Sequence, residues 1–384
     1  MQSNEVQPPC DHRRSKAYGE YRLNMRPWSS RIVIILAGLY ALFQSGHGVY
    51  FAVVSSCDLH TFYEMWASLW NRQTAAVGLR YPYFPHALLM LSPIFTGGFL
   101  IAKYLWMTLN FVFIFYIWRR ISGLLALNQI QHWLWLCLFC SWACVRITIG
   151  NGQFGLFCLA AVLWAYPFTT RQSVPLLVAS FKHSLTFPLF LYLLMRRWRA
   201  VVLTTVVSLG VLIGALWWSG LSVSGYWQTY HSAASTTATG VGDTNVMPFF
   251  EQMLPPNHWL LVAIGLAWVV SFVTLVRLVQ DERILMSALL LMSLWPLYHR
   301  SYDLVVMGPA LAVLIKHYHP LVATGVSLLL AGAYEHLSKH NFYGSLWLSR
   351  LSAAYYPLVI FCLLGLLLWV SYNIQRATRR EIVV

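Results

Sequence analysis

Asp58 follows directly on a long apolar run, in Cys57-Asp58-Leu59-His60. A carboxylate there can take a proton from a hydroxyl. The run before it, Ile32 to Val54, spans roughly 30 Å of hydrocarbon at about 1.5 Å per residue. Three cations stand where later apolar runs break: Arg146 before Ile149-Gly150-Asn151-Gly152-Gln153, Lys182 in Lys182-His183, and Arg300 in His299-Arg300-Ser301-Tyr302-Asp303. A charge at the centre of a spanning helix costs about 2.5 to 3.5 kcal/mol, so each needs a partner or a wet cavity. The two glycines after Arg146 permit close backbone approach, and the helix that follows offers its N-terminus to an anion. Each break also has a plain structural reading: a snorkelling arginine at a turn, a snorkelling lysine at a short hairpin, and an Arg300–Asp303 pair closing a turn.

The elements that position these groups are set by composition. Hydrophobic residues make up 58% of the 384 and charged residues 10%, so the chain stays dispersed only if its apolar surface faces lipid. An all-α polytopic membrane protein is the expected class. The net charge of +14 does not point to nucleic acid, because most basic residues fall in short clusters between apolar spans. Seven cysteines, an odd number, lie mostly within apolar runs, and no second Cys-x-x-Cys accompanies the one at Cys137 and Cys140. Small buried thiols are the expectation, with no metal and no cofactor.

Residues 1–31 form a basic tail, residues 32–373 the transmembrane unit and residues 374–384 a second tail, both tails cytoplasmic. Residues 55–98 are expected on the exoplasmic face. They hold an interfacial helix, Leu59 to Trp70, on which Phe62, Met65, Trp66 and Leu69 share a face. Tyr81-Pro82-Tyr83-Phe84-Pro85 breaks the helix before a short apolar piece, Ala87 to Phe95, read as partly inserted. Further spans are expected at 99–118, 124–145, 153–168, 174–182, 184–195, 200–219, 258–276, 284–298, 304–315, 320–334 and 353–373. With the first helix this makes about 12, and eighteen of the 26 basic residues then lie inside. The short pairs meeting at Lys182 and at His299 to Asp303 fall below the roughly 20 residues of a crossing, which makes them candidate cavity walls. Residues 221–257 form a polar second exoplasmic loop, a candidate lid.

Asp-x-Asp, Gly-x-x-x-x-Gly-Lys-Ser/Thr, Gly-x-Ser-x-Gly and His-Glu-x-x-His are absent from the chain, and no Gly-x-Gly-x-x-Gly follows a predicted strand. Nucleotide-dependent chemistry therefore lacks its usual cradle, which fits a donor already dissolved in the bilayer. One carboxylate facing several phosphate-seeking cations suits transfer from a lipid-linked phosphate: the acid takes the proton and the cations stabilise the departing phosphate. A transporter or flippase for a lipid-linked or anionic substrate is the rival, since carriers also use broken helices and intramembrane cations. The lack of an inverted repeat and the long segment after the first helix weigh against it.

Asp58, Tyr63, Tyr81-Pro82-Tyr83-Phe84-Pro85, Pro93, Trp106 with Asn110, Arg146, Gly152-Gln153, Lys182, Arg196-Arg197-Trp198-Arg199 and His299 with Tyr302-Asp303 occur in an order that resembles glycosyltransferase family 87, of the GT-C superfamily. The resemblance runs from Ile32 to about Ile315. It departs at Gly155, where the family often has Asn, and at His183, where it often has Pro. It implies a GT-C-like helical bundle with an exoplasmic active site in a bacterial inner membrane. It further implies inverting transfer of mannose or a related sugar from a polyprenyl phosphate to an envelope glycan or glycolipid. By the same resemblance Asp58 matches the catalytic base, and Arg146, Gln153, Lys182 and His299 match positions lining the donor site, which Arg300 adjoins. His60, Tyr63, Trp66 and Tyr83 are candidates for contact with acceptor or sugar rings. Partners are then the lipid-linked donor, the acceptor and membrane lipids.

Overall fold

The computed structural model describes residues 27–72, 85–228, 231, 258–295, 301–318, 320–328 and 346–383. Tyr83, His299 and Arg300, residues 1–26 of the first tail and most of the second exoplasmic loop lie outside them. Every regular element among the described residues is helical. Among the described residues five helical runs are long and apolar enough to cross a membrane, six if one bent pair counts as a single span. The expected twelve crossings are thus not all full ones.

Helix α1, Pro27–Val54, starts on a proline that fits a first helical turn. After Ser56, in the left-handed region at φ 46°, α2 runs Cys57–Trp70. Leu59, Phe62, Met65, Trp66 and Leu69 recur at helical spacing and are its buried face, as the sequence pattern predicts. Two short helices follow, α3 (Pro85–Met90) and α4 (Ser92–Phe95), together far shorter than a crossing. Helix α5, Phe99–Leu124, returns to the other end. Helix α6 (Gln129–Cys140) opens on an Asn128/Gln131 capping box and bends 59° into α7 (Ala143–Asn151). Helix α8 (Gly155–Ala165) is apolar nearly all round, which is the pattern of a helix at the centre of a bundle. It packs against α5, α9 and the 3-10 segment Ser301–Met307.

The next run, Thr170–Arg196, has the length and apolarity of a single crossing, yet it turns back. Helix α9 (Ser173–Ala179) leads to a 3-10 turn at Ser180–Lys182, and α10 (His183–Arg196) returns. Phe168, Thr169 and Thr170 at its start line one small cavity with Arg196 to Ala200 at its end, so both feet stand at the same end of the bundle. At about 1.5 Å per residue α10 reaches some 20 Å inward, short of a full crossing. The expected pair of crossings meeting at Lys182 is thereby a re-entrant hairpin.

Helices α11 (Trp198–Ser219) and α12 (His258–Leu278) follow. A second hairpin consists of α13 (Glu282–Ser293), the Ser301–Met307 segment and α14 (Gly308–His317). Its feet grip neighbouring carbonyls: Arg283 Nη1 donates to Leu124 O at 3.0 Å, and the Lys316 ammonium donates to Leu125 O. The expected spans 284–298 and 304–315 are the arms of this hairpin. Helices α15 (Pro320–Leu328) and α16 (Leu346–Val383) complete the chain.

Hydrogen bonds gather the basic loops at one end. Arg120 donates to the carbonyls of Leu163 and Tyr166, Gln131 to Ile315 O, and Gln375 to Leu278 O. Arg197 holds Glu282 at 2.9 and 3.1 Å. Burial pushes the Asp281 carboxyl up, but the Arg283 guanidinium bonded to it wins and holds it below the usual carboxylate range. The opposite end joins the close of α1 to the start of α5, where the Lys103 ammonium donates to Val53 O. It also joins the ends of α2 and α11, where the Trp70 and Trp218 rings stand 5.4 Å apart.

Candidate active site

Asp58 lies in the first turn of α2, where the helix dipole favours a carboxylate, and it is half-buried. The elbow between α7 and α8 determines what it meets. Gly152 ends α7 with φ 76°, a backbone that L side chains rarely adopt, and a Cβ there would come within 2.5 Å of Leu59 Cβ. Only glycine lets Leu59 seat on the elbow, and that contact brings the neighbouring Gln153 to Asp58. The Gln153 amide Nε2 donates to Asp58 Oδ2. Gln153 itself is fully buried, and its Oε1 has no hydrogen-bond partner among the described residues. Phe154 of the same elbow is wedged against Phe62 at 4.6 Å and Trp106 at 5.3 Å, so α2 and α5 hold it from two sides.

Arg146 is buried on α7, and its Nη1 lies 3.2 Å from His47 Nδ1 on α1. A guanidinium only donates, so His47 accepts through Nδ1 and carries its proton on Nε2. Close approach of α1 to α7 makes this contact possible. A Cβ at Gly48 would stand 3.0 Å from Arg146 O, and one at Gly150 would stand 2.9 Å from Phe51 Cβ. The glycines after Arg146 therefore admit neighbouring helices.

Lys182 sits at the tip of the first hairpin, 8% exposed, and its ammonium bonds the carboxylate of Asp303, 1% exposed, in the second. Each charge thereby gains the partner that burial demands. Lys182 engages Asp303 from a separate hairpin, and the expected Arg300–Asp303 pairing lies outside the described residues. The two hairpin tips meet beside α7 and α8, the helices that carry Arg146 and flank Gln153.

The aromatic candidates divide. His60 is exposed, 3.5 Å from Glu64 one turn on, with its ring edge-on to Phe99. Tyr63 is half-buried among Trp66, Phe95 and Phe99. Trp66 is 6% exposed, donates to Ser92 Oγ at 2.9 Å and stacks on Trp70. Its ring is covered, so Trp66 fastens α2 to α4 and does not present a face to a sugar. Sequence reasoning missed His47, although Gln44-Ser45-Gly46-His47-Gly48 is a visible polar interruption of the first span. It missed Asp303 as the partner of Lys182 because nothing local links positions 121 residues apart.

The description of glycosyltransferase family 87 matches residues 81–315, more than half of the chain. No curated protein and no solved structure matches.

Proposed function

We propose, from the premise that this chain belongs to glycosyltransferase family 87, that it is an inverting transferase using a polyprenyl-phosphate sugar. The sugar is mannose or a close relative, the acceptor an envelope glycan or glycolipid, and the site faces the outside of a bacterial inner membrane. The carrying observation is the Asp58 carboxylate held by Gln153 at an elbow whose flanking helices bear Arg146 and pack on Lys182. Asp58 is the general base. The acceptor oxygen attacks the anomeric carbon from the face opposite the phosphate, its proton passes to Asp58, and the bond from that carbon to the phosphate oxygen breaks. The electron pair leaves with the polyprenyl phosphate. Arg146 and Lys182 stabilise that anion, joined by Arg300 and His299, and Gln153 fixes the carboxylate so that one oxygen stays directed at the acceptor. His60, Tyr63 and Tyr83 border the acceptor side. Membership of a glycosyltransferase family supports transfer over the carrier reading.

The test is transfer of labelled sugar from a polyprenyl-phosphate donor by purified protein. Asp58→Asn is expected to lower kcat by about 10²- to 10⁴-fold with an unchanged melting temperature. Full activity in that variant would remove Asp58 from the mechanism.

A further inference from the structure

A polar cavity of about 720 Å³ lies at the end opposite Asp58. Arg196 and Arg197 from the end of α10, Arg277 from the end of α12, Gln280 and Glu282 line it. Its charges do not cancel. Glu282 is the single carboxylate in the lining and is already gripped twice by Arg197. Arg196 and Arg277 are exposed and make no hydrogen bond or ion pair among the described residues. A cavity of about 280 Å³ shares Arg196 and Arg197 and adds Thr169, Thr170 and Arg199. Paired volumes of this size, rich in arginine and hydroxyl donors, suit a phosphate with its substituents.

The rim identifies the kind of phosphate. Met195, Trp198 and Leu278 beside the cavities are 59%, 56% and 54% exposed, on helices whose outer faces are apolar. The Arg199 guanidinium lies 5.6 Å from the centre of the Trp198 ring, a cation and an indole arranged as at a membrane interface. A ligand that fills the cationic cavity and continues over these side chains has an anionic head and acyl chains.

We propose that this cavity binds the phosphate headgroup of an anionic phospholipid in the leaflet opposite Asp58. Free inorganic phosphate shares the headgroup chemistry but gains nothing from the apolar rim. The full chain is placed in phosphatidylcholine nanodiscs with rising phosphatidylglycerol, with retained lipid counted by native mass spectrometry and melting followed in parallel. Wild type is expected to retain phosphatidylglycerol and to melt higher as its fraction rises. Arg196→Gln with Arg277→Gln is expected to lose that retention at least tenfold and the melting response with it, while melting normally in phosphatidylcholine alone. Arg277→Gln alone serves if the double variant melts early. Arg376→Gln with Arg379→Gln, the same charge removed from α16, is expected to behave as wild type. Equal retention by the cavity variants and wild type overturns the proposal. Equal stabilisation by inorganic phosphate overturns the lipid assignment.

Discussion

Gln153 is fully buried, spends its amide nitrogen on Asp58 and has no partner for its Oε1 among the described residues. An unpaired buried acceptor costs about 1–3 kcal/mol, and such a cost marks a side chain kept for position. Lys182 and Asp303 illustrate the complementary case, two buried charges that satisfy each other. Lys182→Met takes the ammonium from the buried Asp303 carboxylate and is expected to cost about 3–5 kcal/mol, read as a lower melting temperature in detergent. Lys182→Met with Asp303→Leu is expected to return to within about 1 kcal/mol of wild type yet fail to transfer sugar, because the phosphate loses its cation. A double variant with wild-type transfer would make Lys182 purely structural. At this scale the sequence was half legible. Asp58, Arg146 and Lys182 stand out as rare charges next to apolar runs, but their partners Gln153, His47 and Asp303 come from elsewhere in the chain, and only packing joins them.

The α7–α8 elbow shows how much one residue can decide about an element. Gly152→Ala forces a side chain into the left-handed region and against Leu59, at an expected cost of about 2–5 kcal/mol. Because the same contact delivers Gln153 to Asp58, transfer activity is expected to fall even at temperatures where the variant stays folded. Thermal melts and labelled-sugar transfer on one preparation check both, and a fully active, stable variant would show that the elbow does not set the site. Element types and the face of α2 were readable from periodicity. The depth of the hairpins was not, since an apolar run of crossing length reads the same whether it passes through or doubles back, and only the shared positions of its feet distinguish the two.

For the molecule as a whole, the charge pattern pointed to one basic end, and the hydrogen bonds that tie Arg120, Arg197, Arg283 and Lys316 into neighbouring loops gather there. Asp58 stands at the other end. Its neighbour Cys57 is exposed and gives a native reporter of which face that is. A membrane-impermeant maleimide applied to intact cells or spheroplasts is expected to label wild type and not Cys57→Ser. Labelling that requires permeabilisation would put Asp58 in the cytoplasm and end the exoplasmic assignment.

The 121 residues between Lys182 and Asp303 also set an order in time. At about 5–20 residues per second, the ribosome reaches Asp303 some 6–24 s after Lys182 has been made. Throughout that interval the nascent protein holds an uncompensated ammonium near the lipid, a penalty of about 2.5–3.5 kcal/mol at the midplane. The early half of the chain must therefore wait, shallowly inserted or sheltered by the insertion machinery, until the late half arrives. The interior that surrounds the chemistry closes only after Asp303 has been made.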